Sequence, residues 1–247
     1  MNRKPIVRNS FYRSSMDILL ISGLWLTSDA WTDVADELRT RGHNPLPVAL
    51  PGADDGSTTA QLTDQLDAVL AAVDAAPGHV TVVGHSAAST LAWLAADRRP
   101  DRVRRLVMIG GFPATGGSSY AEFFPLVDGA MPFPGWDTFE GPDSADLDEP
   151  TRDRFAAAAV PVPAGVALGR VEFGDERRFE VPVVLVCPEF SPDDARAWVE
   201  RGDVPELARV RHLSYVDIDS GHWPMLTHPA ALARLLDSIE HPPQVLS

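Results

Sequence analysis

Hydrophobic positions along the chain switch repeatedly between two periods. Residues 18–22 are a short, nearly continuous apolar run closed by Gly23, the pattern of a buried strand. Trp31, Val34, Ala35 and Leu38 then recur at three-to-four spacing, which predicts a helix over 31–41 ended by Gly42. Residues 43–50 read as a second short strand, closed by Pro51 and Gly52. Leu62, Leu66, Val69, Leu70 and Val73 share one face of a predicted helix over 59–76, which Pro77 and Gly78 stop. The β-branched run 79–83 leads into Gly84, and a helical pattern over 87–97 follows. Residues 103–109 form a further strand, with Gly110 and Gly111 beyond it. Alternation of this kind needs crossover connections. It predicts an α/β fold with a mainly parallel sheet and helices on both faces.

The alternation lapses over 114–178. Gly, Pro and aromatic residues cluster there, as in Met131-Pro132-Phe133-Pro134-Gly135-Trp136, and helical pieces are predicted near 120–130 and 151–160. A loop of that length without structure is out of place in a compact domain, so the segment reads as an inserted subdomain. Sheet signals return at 181–187 and 213–218, and a helix over 229–239 ends the pattern. Residues 1–16 are polar and unpatterned, an arm.

With 247 residues, the chain can bury a sizeable core without metal or disulfide staples. Its formal net charge of −14 opposes nucleic-acid binding and a polybasic grip on anionic lipid. No run approaches the length of a membrane span. The single cysteine, Cys187, allows no internal disulfide, which fits a cytoplasmic setting. Arg3, Lys4, Arg8 and Arg13 ahead of the apolar run 18–21 resemble a signal peptide. Asp17, Ser22 and Gly23 interrupt that reading. No metal-ligand spacing is present, and neither metal nor cofactor is expected.

The candidate chemistry centres on Gly84-His85-Ser86-Ala87-Ala88, set between a strand and a helix. A serine at such a turn is displayed clear of the sheet, and small residues two positions either side let strand and helix cross closely. Serine is a poor nucleophile until a base takes its proton. His222, in Ser220-Gly221-His222-Trp223-Pro224 after the late strand, is the candidate base. His85 should point away from the nucleophile's side chain. His43, His79, His212 and His241 lie at turns or ends and are expected to be without partners, and His228, which opens the last helix, is expected to be structural or exposed.

These motifs, and their order along the chain, resemble the α/β-hydrolase fold family. The histidine loop is similar to that of plant-type esterases and hydroxynitrile lyases. The resemblance implies a core over 1–113 and 179–247 and a cap or lid inserted at 114–178. It also implies a serine–histidine–acid triad whose acid follows the strand at 181–187. The aspartate position there holds Phe190, so Glu189 is the first candidate for the acid. Asp193 is the second, although Asp193 and Asp194 also suit a helix start. The resemblance further implies an oxyanion hole, with the Ala87 amide as one donor and the Leu24 amide, or that of Trp25, as the other. Trp25, Phe133, Trp136 and Trp223 are candidate substrate contacts.

The expected activity is cofactor-free hydrolysis of small, largely apolar carboxylic esters or lactones through an acyl-enzyme. A lyase or C–C hydrolase on the same fold, and a non-catalytic ligand-binding protein, stand as alternatives. Expected partners are a small-molecule substrate and, at most, a second copy of the chain.

Overall fold

The computed structural model describes residues 15–241. Most of the arm predicted over 1–16, including its four basic residues, lies outside them. Four parallel strands come first: β1 (Asp17–Ile21), β2 (Asn44–Pro47), β3 (Val80–His85) and β4 (Val103–Ile109). Between them run α1 (Thr32–Thr40), α2 (Leu62–Ala75) and α3 (Ala88–Arg98). Two two-residue strands, β5 (Ala130–Met131) and β6 (Val162–Pro163), pair antiparallel away from the main sheet, with α4 (Glu149–Ala158) between them and α5 (Ala164–Ala167) after. β7 (Val183–Cys187), α6 (Pro192–Arg201), β8 (Leu213–Asp217), α7 (Pro224–Thr227) and α8 (Pro229–Glu240) complete the described chain. The main sheet has six strands in the order β2-β1-β3-β4-β7-β8, every pair parallel.

Burial on both faces explains the sequence pattern. β3 is buried at every position, and its two faces feed separate apolar clusters. Val80 and Val82 pack with α2 and α3 on one side. Val83 packs with Trp31 and Leu38 of the α1 layer, and with Leu232 and Leu236 of α8, on the other. Fully burying side chains of this size is worth about 1.5–3 kcal/mol each, so the layers on the two faces hold the sheet's carboxyl edge in place.

Segment 114–178 departs from expectation in one stretch. No helix forms over 120–130. Pro125 lacks an N–H, and the backbone pairs sideways instead: Tyr120 N–H donates to Gly169 O at 2.8 Å and Ala121 N–H to Ala167 O at 2.9 Å. The helix expected over 151–160 is α4, started by Asp148, whose side chain accepts from Thr151 N–H. The exit of the segment is clamped to α3. The buried Asp97 carboxylate accepts from the backbone N–H groups of Gly174 at 3.0 Å and Asp175 at 2.9 Å, and meets Arg178 at 3.2 Å.

Candidate active site

β3 ends at His85 and α3 begins at Ala88, so the chain reverses direction at Ser86. Ser86 has φ 54°, a left-handed conformation that costs a residue with a side chain free energy. Its neighbours hold it there: Ser86 N–H donates to Ile109 O at 2.8 Å, and its carbonyl accepts from Ser89 N–H at 3.0 Å. A Cβ on Gly84 would lie 2.4 Å from the Ala88 carbonyl oxygen, so the crossing tolerates no side chain at 84. Ala88 is wholly buried in the same crossing. Ala87, not Ser86, holds the N-cap position of α3.

His222 follows β8, and Glu189 follows β7. Their side chains meet, with Nδ1 of His222 2.7 Å from Oε1 of Glu189. That bond fixes Nδ1 as the donor and leaves Nε2 as the proton acceptor. Phe190 turns the other way, stacking on Phe112 with ring centroids 5.6 Å apart and packing against Trp198. The carboxylate therefore sits one residue earlier than the aspartate of the related loop. Gly110 (φ 58°) makes room for it, since a Cβ there would lie 3.2 Å from both Glu189 Oε2 and His222 Nδ1. Asp193 is held elsewhere: it is 91% exposed and pairs with Arg196 at 2.6 Å. Asp194 completes a capping box with Ser191 at the start of α6.

Two further groups position the histidine loop. His85 Nε2 donates to the His222 carbonyl oxygen at 2.7 Å, with the imidazole rings 4.9 Å apart. Burial, reinforced by the charge at His222, pulls the His85 pKa down to about 3, so its ring is neutral at ordinary pH. From the inserted segment, the Asp143 carbonyl accepts from His222 N–H at 2.8 Å. Asp146 Oδ2 accepts from Gly221 N–H at 2.9 Å and Ser220 Oγ at 3.3 Å. Sequence reasoning assigned Asp143 and Asp146 no role. Their only local signal was an acid-rich turn, because the contacts span 74 or more positions. Cys187 is no rival nucleophile. It is buried, and burial, followed by Asp217 and Glu189, pushes its thiol up to about 12.

Neither the Leu24 nor the Ala87 amide has an acceptor among the described residues. Leu24 precedes Trp25, whose φ of 64° is the second left-handed residue at the site.

The sequence profile of the alpha/beta hydrolase family matches residues 18–235. This chain belongs to that family. The assignment makes it an enzyme of the hydrolase type. No curated protein sequence matches it. Among solved structures, an extracellular alpha/beta-hydrolase from a Paenibacillus species superimposes with a TM-score of 0.74 at 18% identity, covering 90% of this chain and 97% of its own. A pyrethroid hydrolase from Sphingobium faniae gives 0.65 at 18% identity, over 93% and 99%. Polyneuridine aldehyde esterase gives 0.68 at 17% identity, over 92% and 99%. These likenesses concern the fold.

Ser86 of this hydrolase opens onto two spaces. One, of about 150 Å³, is lined by Leu24, Trp25, Phe124, Phe139, His222 and Trp223. The other, of about 560 Å³, is bordered by Phe112 and by the polar side chains of Thr90, Ser118, Ser119, Tyr120 and Glu122. Phe123, 63% exposed, lines both. Phe133 and Trp136 stand one layer back. Phe133 packs on Trp25 and Phe139, and Trp136 on Phe155 and Trp223, so they brace the aromatic wall without lining this cavity. No described helix is long and apolar enough to cross a membrane.

Proposed function

We propose that this hydrolase cleaves small, largely apolar carboxylic esters or lactones through an acyl-enzyme on Ser86. The observation that carries the reading is a serine held in a left-handed turn, sharing an aromatic-walled cavity with a histidine whose far nitrogen is bound to Glu189. Ser86 Oγ attacks the carbonyl carbon as its proton passes to His222 Nε2. Glu189 orients the imidazole and stabilises its charged form. The carbonyl oxygen becomes an oxyanion facing the unpaired Leu24 and Ala87 amides, which supply preorganised donors. The carbon–oxygen bond to the alcohol then breaks, and the proton on His222 goes to the leaving alkoxide. Water, deprotonated by the same nitrogen, attacks the acyl carbon. Ser86 departs with the returned proton, and the carboxylic acid is released.

The aromatic space suits one apolar half of the substrate, and the wider, hydroxyl-bordered space suits the other. Residues 114–178 act as the cap. They carry Phe124 and Phe139 over the nucleophile and hold the histidine loop through Asp143 and Asp146. The names of the pyrethroid hydrolase and the aldehyde esterase among the structural neighbours agree with this substrate class.

The test is Ser86→Ala assayed with a short-chain nitrophenyl ester. The variant should lose roughly 10³-fold or more in kcat/KM, and fluorophosphonate should label the native protein at Ser86 only. A Ser86→Ala protein with activity within tenfold of native would overturn the assignment.

A further inference from the structure

A second cluster of histidine and carboxylate lies at the other edge of the sheet, away from Ser86. His43 ends the turn between α1 and β2, at the amino end of the strands. Asp237 lies in the last turn of α8, and His241 follows that helix directly. His43 Nε2 is 3.1 Å from Asp237 Oδ1, and His241 Nδ1 is 3.4 Å from the same oxygen. One donor atom from each of the three lies within 4.8 Å of the others. The His43 and Asp237 side chains are only 1% and 9% exposed, while that of His241 is 20% exposed and leaves one side open to solvent.

Hydrogen bonding alone accounts poorly for this cluster. Nδ1 of His241, the ring atom that faces Asp237, is buried without a hydrogen-bond partner among the described residues. A buried nitrogen lone pair with nothing to accept from carries a desolvation cost. A cation uses such a lone pair directly. Two donors each 2.0–2.1 Å from a tetrahedral zinc ion stand roughly 3.3–3.4 Å apart, close to the separations of His43 Nε2 and His241 Nδ1 from Asp237 Oδ1. Two imidazoles and one carboxylate are a donor set that zinc and its neighbours in the transition series accept. The adjacent acid, Glu240, is already committed: it accepts from Thr81 Oγ1 at 2.5 Å and pairs with Arg104 at 3.1 Å and Arg105 at 3.5 Å.

We propose that His43, Asp237 and His241 form a binding site for a zinc-type divalent transition-metal ion, with solvent supplying the fourth ligand beside His241. The ion joins α8 to the α1–β2 turn, so its role is structural and lies apart from the ester chemistry. No sequence spacing announces it, because His43 and Asp237 are 194 positions apart.

The experiment uses the full chain stripped with a chelator and titrated with Zn²⁺ alone, then with Co²⁺ as a spectroscopic reporter. The expected result is one equivalent bound, a cobalt spectrum of tetrahedral type, and a thermal midpoint raised by several degrees. His241→Asn, at the more exposed of the two histidines, should fold and lose at least tenfold in affinity, and His43→Asn should do the same. His222→Ala should still bind one equivalent, which separates this site from the active-site histidines. Esterase activity per folded molecule should not change on stripping. Absence of stoichiometric binding overturns the proposal, as does binding that survives intact in both His241→Asn and His43→Asn.

Discussion

The two edges of the sheet hold the same residue types in different settings. At the carboxyl edge, one imidazole is bound to one carboxylate at 2.7 Å and shares a cavity with a serine. At the amino edge, one carboxylate lies between two imidazoles, buried between a turn and a helix end. The strained backbone is at the first edge, where both Ser86 and Trp25 take left-handed conformations. Aromatic walls are there too. The difference teaches that a histidine–carboxylate pair becomes a candidate for catalysis through what stands in front of it. Loops at the carboxyl ends of parallel strands can put a nucleophile, free amides and a cavity there.

The sharpest way to break the comparison is to alter the carboxylate at the carboxyl edge. Glu189→Gln keeps size and removes the charge that stabilises imidazolium, and it permits the wrong tautomer. A loss of roughly 10³–10⁴ in kcat/KM on a nitrophenyl ester is expected. Asp193→Asn, which changes an exposed partner of Arg196, should leave the rate within about twofold. Equal losses in the two variants would end the assignment of Glu189 as the acid.

That pair of variants also marks what was legible in the sequence. The elbow was legible because its requirements are local: a β-branched run, small residues at 84 and 88, and a helix after. The carboxylate that faces His222 was legible only as a choice led by Glu189 and Asp193. A one-residue shift depends on which way Phe190 turns, and that is decided by Phe112 and Trp198, distant in sequence or across α6. The expectation that His43 and His241 lack partners was wrong for the same reason, since their shared partner, Asp237, meets His43 from the far end of the chain. Trp136 and Phe133 could be placed near the site by their residue type and segment. Composition does not say whether a ring lines a cavity or braces the ring that does.

A smaller effect concerns acid stability. His85 is buried and neutral, with its pKa drawn from 6.5 to about 3. The unfolded chain binds this proton below pH 6.5 and the folded chain does not. The contribution of His85 to stability is therefore present above pH 6.5 and is lost as pH falls toward 3, at about 1.4 kcal/mol per pH unit. In urea titrations, His85→Gln should be less stable than native at pH 7, because it disturbs the 2.7 Å bond to the His222 carbonyl. Its stability should then fall less steeply between pH 6 and 4. Parallel slopes for the two proteins would show that His85 is not the buried neutral group described.

The smallest expected effect probes the charge behind the imidazole. Asp143 has its carboxyl raised above the usual range, first by burial and then by the negative charge of Glu189, with His222 opposing. Its carboxylate favours the charged form of His222. Asp143→Asn removes that favour and keeps the backbone carbonyl that accepts from His222 N–H. The acid limb of kcat/KM should move to lower pH, because the negative charge beside the imidazole is gone. The plateau rate should stay close to native, because the bond from His222 to Glu189 is untouched. An acid limb displaced to higher pH would reverse the sign of the coupling. A collapsed plateau would move Asp143 from an electrostatic neighbour to a member of the proton-transfer machinery.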